Sequence, residues 1–397
     1  MEKKIYLVGG AVRDKLMDTP CHDKDYVAVG YDVSEFSHLQ QVGKDFPVFL
    51  QEDGSELALA RVERKTGNGY NGFSTDTANI SLEEDLQRRD LTINSIAYDE
   101  QNDNYIDPYD GFNDIKNKVL KHTSDAFCED PIRVLRIARF RARFGHEWNI
   151  HPSTKVLIYQ MRYELQYLQK DRVYKEIEKV LTSKNSYIFF ETLFELGVLD
   201  MIFPSLYNLT TLKEGTKFHK EGSVFIHTMM VLKELDNEGI LLKLTALYHD
   251  IAKPECYKRY GNGSHHEDIK LVEPLLDITI PAKVKNKMLF LIANHIKIAL
   301  LADMRSAKLA TFFESFKKDR ELLITLLKFK DADNKGRISD VAKQNSDYSM
   351  ILKTFDAIAT YSPKEWIDSQ EKEIKTDAIV QHIHKQNIEY VKKYLLF

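Results

Sequence analysis

Apolar positions in the first part of the chain come in short runs, IYLV over residues 5–8 and YVAV over 26–29, broken by Gly, Asp and Asn. That spacing predicts the strands of a small sheet, with few helices, over roughly the first 110 residues. From about Asp130 the period changes. Stretches such as PIRVLRIARFRARF, RVYKEIEKVL, FIHTMMVLKEL and KMLFLIANHIKIALL return to apolar side chains every three or four positions, which predicts helices joined by short turns. The pattern lapses between Leu206 and Gly222, where a domain boundary is expected, and a charged stretch after Asp331 opens the last segment. The expected fold class is α+β, an α/β head followed by a mainly helical remainder.

Composition narrows the classes. A chain of 397 residues, 43% hydrophobic and 29% charged, is long enough for two to four domains and has neither the apolar poverty of disorder nor a low-complexity tract. No apolar run approaches the ~20 residues that span a bilayer, so no membrane partner is expected. The opening MEKKIYLVGG lacks a signal-peptide core and cleavage site, and a cytoplasmic location is expected. Cys21, Cys128 and Cys256 lie far apart without CxxC spacing, which supports neither a disulfide framework nor a cysteine zinc site. The net charge of -4 means that a nucleic-acid partner must be met by a local basic surface. Arg88-Arg89 and the series Arg133, Arg136, Arg139, Arg141 and Arg143 provide such concentrations.

Candidate chemistry begins with KIYLVGGAVRDKL, which reads as strand, Gly9-Gly10 turn and helix. Backbone N–H groups at such a turn can cradle phosphate, although GxxxxGK[ST] and GxGxxG are both absent and a plain tight turn reads equally well. In DKDYVAVG, Asp23 and Asp25 stand two apart at the head of an apolar run, and period 2 in a strand puts both carboxylates on one face. Two hard anionic ligands suit Mg²⁺ that also holds substrate phosphates, against the plainer reading of a solvated strand end. In EDPIRVLRIARF, Asp130 before Pro131 is a helix-start signature, and Arg133, Arg136 and Arg139 recur every third residue with Val134, Leu135, Ile137 and Ala138 on the other side. Farther on, His227 falls on an amphipathic helix, His249 and Asp250 at a helix end, and Asp333 in KFKDADNKGR. Imidazole and carboxylate together suit a divalent transition metal, while each histidine alone is more often structural. His265, His266 and His295 offer a second metal or a phosphate contact, or lie at the surface.

LVGGAVRD, DKDYVAVG, RRDLTINSIAYD, DPYDGFNDI and EDPIRVLRIARF, in this order, resemble the class II tRNA nucleotidyltransferase and bacterial poly(A) polymerase superfamily over residues 1–185. The ordered set of His227, His249-Asp250 and Asp333 resembles the HD superfamily, where four such groups share one metal, and extends the likeness to bacterial multifunctional CCA-adding enzymes. The family's second His-Asp pair is missing, since Lys297 follows His295 within NHIKI.

The resemblance implies a polymerase β-like head over 1–139, a helical neck and body over 140–222, an HD phosphohydrolase domain over 223–335 and a helical tail over 336–397. It implies that Gly10 and Arg13 contact nucleotide phosphates, that Asp23 and Asp25 hold catalytic Mg²⁺, and that Arg89 and Asp90 contact the nucleotide and its ribose. Asp107 to Gly111 match a hinge motif, and Glu63 is a candidate third carboxylate. Asp130 and Arg133 match the residues that present Watson–Crick-like hydrogen bonds to cytosine or adenine. The implied partners are tRNA, CTP and ATP, with the chain a monomer or homodimer. The implied HD metal is a transition ion, nickel among the candidates, serving 2′,3′-cyclic phosphodiesterase and phosphatase activity. A poly(A) polymerase, an enzyme adding only A or only CC, and a chain acting chiefly as an HD phosphohydrolase are the alternative readings.

Overall fold

The computed structural model describes residues 2–395 except 22, 43–46, 66–72, 78, 217–218, 339–346 and 371–374; side chains at 63–65, 73–76, 214–216 and 219–221 also lie outside the description. The expected carboxylate Glu63 therefore falls outside the described side chains. The chain forms two compact units, residues 1–204 and 205–397.

The first unit opens with β1 (Lys4–Val8), α1 (Gly10–Leu16), β2 (Asp25–Val29), β3 (Gln40–Val42), β4 (Val48–Leu50) and β5 (Glu56–Leu59). A hairpin follows, β6 (Val62–Lys65) with β7 (Phe73–Asp76), then α2 (Leu82–Gln87), β8 (Ala97–Asp99) and β9 (Asn104–Ile106). Seven of these strands make one sheet in the order β3-β4-β5-β2-β1-β8-β9, with β2 and β5 the parallel pair and Asp25 in register with Glu56. The alternation read from YVAV is realised as two packed faces. Val27 and Val29 pack with Val8, Leu86 and Ala97, and Ala28 packs with Phe36, Phe49, Leu57 and Leu59. At ~1.5–3 kcal/mol for each large buried apolar side chain, this double burial fixes the strand register that aims Asp25.

α3 (Gly111–Lys116) closes the sheet region. Asp107 of the DPYDG segment accepts hydrogen bonds from the Gly111 and Phe112 N–H groups at 2.8 Å and so caps α3. β10 (Val119–Leu120) then leads to α4 (Ile132–Phe144), and β11 (Asn149–Ile150) pairs back with β10 in parallel. The expected division after residue 139 lies inside α4. α4 buries Val134, Leu135, Ile137, Ala138 and Ala142 completely, as its period predicts, and packs on α6 (Lys170–Leu181) and α7 (Ser186–Glu195), with α5 (Pro152–Gln160) before them.

α8 (Leu199–Ile202) ends this unit. Among the described residues the second unit is helical apart from one hairpin. α9 (Pro204–Thr211) leads to β12 (Lys213–Thr216) and β13 (His219–Ser223), so the lapse expected between Leu206 and Gly222 is a short antiparallel ribbon. Then come α10 (Val224–Glu234), α11 (Ile240–Tyr248), α12 (Lys253–Tyr260), α13 (Ile269–Val272), α14 (Ala282–Ala299), α15 (Ser306–Glu314), α16 (Arg320–Lys335), α17 (Ser349–Thr360), α18 (Lys364–Asp368) and α19 (Thr376–Leu395). Asp331 and Asp333 sit inside α16 rather than opening a new segment, because Leu326, Leu327, Phe329 and Ala332 carry its apolar stripe past them. Among the described residues no helix is long and apolar enough to cross a membrane.

Candidate functional sites

In the first unit a cleft of about 1000 Å³ is lined by Gly9, Gly10, Arg13, Asp23, Asp25, Arg89, Asp90, Asp130, Arg133, Arg136 and Arg139. The residues expected to hold nucleotide and Mg²⁺ meet there, whereas Asp107 to Gly111 do not line it. Asp23 precedes β2 rather than lying in it, yet its side chain still reaches the same wall as that of Asp25. Solvent reaches Asp25, but the surrounding walls desolvate its carboxyl and push it upward, as does Glu56 across the parallel register, with Arg89 opposing. A carboxylate whose charge is disfavoured, next to a second carboxylate, is a fitting place for a hard dication.

The glycine turn has a specific role. Gly9 has φ +70°, and a Cβ there would come within 2.9 Å of an Arg89 guanidinium nitrogen. Glycine thus lets the backbone take a left-handed conformation and lets Arg89 close over it. Arg89 is held from below by Asp85, fully buried, which accepts from Arg89 at 3.0 Å and from Arg88 at 2.7 Å. Asp90 is buried as well. Its carboxylate accepts from Arg136 Nε at 2.7 Å, Asn94 Nδ2 at 2.9 Å and the Leu91 N–H at 2.9 Å. Burial alone would raise the Asp90 carboxyl, but Arg136, Asn94 and Arg133 outweigh it and hold the group well below the usual range.

α4 starts at Ile132 with Pro131 at its cap, one residue later than the Asp130 signature suggests, yet Asp130 still accepts from the Ile132 N–H at 3.2 Å. Its other oxygen accepts from Arg172 of α6 at 2.8 Å. Arg133 is buried and donates to the Ala126 carbonyl at 2.6 Å, and Arg139 pairs with Glu176 at 2.7 Å. The three arginines are therefore engaged side chains rather than a solvated face. Sequence reading missed Asp14, Asp85, Asn94 and Glu176, short polar residues whose burial only the fold reveals; Arg172, Lys175 and Lys179 also line the cleft, from the RVYKEIEKVL helix.

In the second unit His227, His249 and Asp333 present ligand atoms within 4.8 Å of one another, and Asp250, His266 and His295 do the same. All six are buried. Asp250 joins the sets, with Oδ2 at 3.2 Å from His249 Nε2 and 3.9 Å from His227 Nε2, and Oδ1 at 3.2 Å from His266 Nε2. Each of the four histidines donates its Nδ1–H to a backbone carbonyl: His227 to Gly336 at 3.2 Å, His249 to Ala246 at 2.8 Å, His266 to Gly263 at 2.6 Å and His295 to Ile292 at 2.6 Å. That leaves every Nε2 turned inward, where His227 faces His249 at 3.3 Å and His266 faces His295 at 3.2 Å. Facing imidazole nitrogens repel unless a proton or a metal ion lies between them. Burial, with His249 and His266 beside it, pushes His295 down to about 3, so its Nε2 is a free lone pair at neutral pH.

Gly336 makes one of these contacts possible, since a Cβ there would lie 2.8 Å from the Val231 backbone nitrogen. His265, named with His266 from sequence, is exposed and packs edge-on against Tyr260 instead.

Known proteins share parts of this fold. Residues 5–121 match the poly A polymerase head domain, and residues 148–209 match the probable RNA and SrmB-binding site of polymerase A. Both matches are consistent with the class II tRNA nucleotidyltransferase and poly(A) polymerase superfamily expected from sequence. Similar solved structures include the Thermotoga maritima CCA-adding enzyme complexed with tRNA, 19% identical, covering 99% of this chain and 91% of that one at a TM-score of 0.58. A CCA-adding enzyme with CTP is 18% identical, covering 100% and 92% at a TM-score of 0.60, and a tRNA-processing enzyme complex is 22% identical, covering 98% and 96% at 0.59.

Proposed function

We propose that the chain adds or repairs the 3′-terminal CCA of tRNA without a nucleic-acid template, using CTP and ATP. The observation that carries this reading is the convergence of Asp23 and Asp25, the Arg89–Asp90 pair and the Asp130–Arg133 pair on one cleft. Asp23 and Asp25 would hold Mg²⁺, which supplies charge to offset the triphosphate and to favour ionisation of the attacking 3′-hydroxyl. Arg89, pinned by Asp85 and closed over Gly9, faces the phosphates as a fixed cation. Asp130 can accept from an exocyclic amine and Arg133 can donate to a ring nitrogen or carbonyl, so both cytosine and adenine are readable. Because Arg172 and the Ala126 carbonyl already hold that pair, its orientation is set before a nucleotide arrives. Arg172, Lys175 and Lys179 give the rim the positive charge an RNA end requires. The test is incubation with tRNA lacking its terminus and each nucleotide singly. CMP transfer to the bare end and AMP transfer only after two C residues are expected; long A tails would move the protein to the poly(A) polymerases.

The second unit would carry an HD phosphohydrolase centre in residues 223–335, followed by a tail over 336–397. His227, His249, Asp250 and Asp333 fit one transition metal, and Asp250, His266 and His295 form a second donor set of the same kind. Such ions supply Lewis acidity for phosphoester hydrolysis, which would clear 2′,3′-cyclic phosphate from damaged RNA ends. Metal content by elemental analysis, with nickel and other transition ions offered, tests this: a protein that binds none loses the reading.

A further inference from the structure

α4 is tied to α1 and to the Asp90–Asn94 segment by a closed ring of side chains. Arg136 Nε donates to Asp90 at 2.7 Å, Asn94 Nδ2 donates to the other Asp90 oxygen at 2.9 Å, and Arg13 donates to Asn94 Oδ1. Arg13 also donates through Nε at 2.9 Å and through a second nitrogen at 2.7 Å to Asp14 Oδ1, while Asp14 Oδ2 accepts from Arg143 at 3.0 Å. Arg143 returns the ring to α4, seven residues after Arg136 and so two turns along the same face. Arg13 is 3% exposed, and its guanidinium carbon lies 5.2 Å from the Phe140 ring centroid and 5.5 Å from that of Phe144. Such a side chain is enclosed by its own helix, by α4 and by Asn94.

Resting on the function proposed above, we infer that Arg13, Asp14 and Arg143 are positioning residues that set where α4 carries Asp130 and Arg133 relative to Asp25, and so set the choice between cytosine and adenine. Arg133 stands at the first turn of α4 with Asp130 just before it, and the ring grips the helix at its second and last turns. A purine and a pyrimidine differ in reach by more than an ångström, and misplacement of about 1 Å remote from the chemistry can cost ~10²-fold in rate. Arg143 is the member to change, because it is half-exposed at the cleft edge while Arg13 and Asp14 are buried in the head.

The experiment measures kcat/KM for CTP on tRNA lacking CCA and for ATP on tRNA ending in CC, in the full-length protein. Arg143→Leu is expected to shift the CTP-to-ATP ratio about tenfold, mainly through kcat, with Arg143→Lys restoring most of it. Arg141→Leu, on another face of α4 and paired with Glu195 and the Trp148 carbonyl, serves as the comparison. It should lower Tm without moving the ratio. An active wild type whose ratio is unchanged by Arg143→Leu, or equally changed by Arg141→Leu, overturns the inference alone; a wild type that transfers neither nucleotide overturns the function beneath it.

Discussion

In the cleft of the first unit, Asp23 and Asp25 stand open to solvent among arginines, whereas in the second unit four histidines and two aspartates are buried as two sets, each within ligand distance. Under the function proposed above, the difference follows from what each would hold. A nucleoside triphosphate and an RNA end are large, anionic and exchanged at every turnover, so a wall that received them would be open, and the cations of this one are anchored from behind by Asp85, Asp90 and Glu176. An ion held for the life of the protein calls for the reverse: excluded water, and ligands fixed by backbone carbonyls.

The comparison breaks most visibly at Asp25. Asp25→Ala should lower CMP and AMP transfer by roughly a thousandfold, about 4 kcal/mol in the barrier, in a primer-extension assay, while hydrolysis of a 2′,3′-cyclic nucleotide is unchanged. His249→Ala should do the opposite, lowering that hydrolysis at least about a hundredfold and the bound transition metal with it, with nucleotide transfer intact. Loss of both activities in either variant would show the two units to be interdependent. Within the cleft, Asp130→Asn keeps the oxygen that meets the Ile132 N–H but replaces an acceptor by a donor, and should change the CTP-to-ATP preference by about 10- to 100-fold, ~1–3 kcal/mol. The smallest effect concerns stability. The Asp25 carboxyl is raised above its ordinary value of 3.8, so the folded, metal-free head holds that proton more tightly than the unfolded chain. Its contribution is fully present below pH 3.8 and is lost as pH rises through the raised value. Asp25→Asn should therefore slightly raise the neutral-pH Tm measured without Mg²⁺, with no difference from wild type in acid; an equal Tm at all pH values counts against the desolvated carboxylate.

How much was legible in sequence differs between the two regions for a physical reason. The sheet and α4 were readable because period 2 and period 3.6 record which side chains are buried, and Val27, Val29, Ile137 and Ala138 are where those periods put them. The paired aspartates of the cleft, Asp23 and Asp25, were readable because they are close in sequence. Asn94, Asp14 and Glu176 were not, since a single polar residue gives no sign that a fold will bury it against an arginine dozens of residues away. The missing Asp beside His295 weakened the case for a second ion from sequence, yet Asp250 reaches His266 with the oxygen its own set leaves over. Shared use of one carboxylate by two sets is a property of space, not of spacing.

The parallel pairing of β10 with β11 makes α4 a crossover between two strands, with the Asn149 N–H bound to the Lys118 carbonyl at 2.9 Å and the His151 N–H to the Leu120 carbonyl at 3.0 Å. Dissection of the molecule has to respect that stitch. A fragment stopped after residue 139 would expose half a helix and strip β10 of its partner, so the shortest head worth expressing must run past His151, and a protease cutting between 121 and 131 would leave its two pieces laced together.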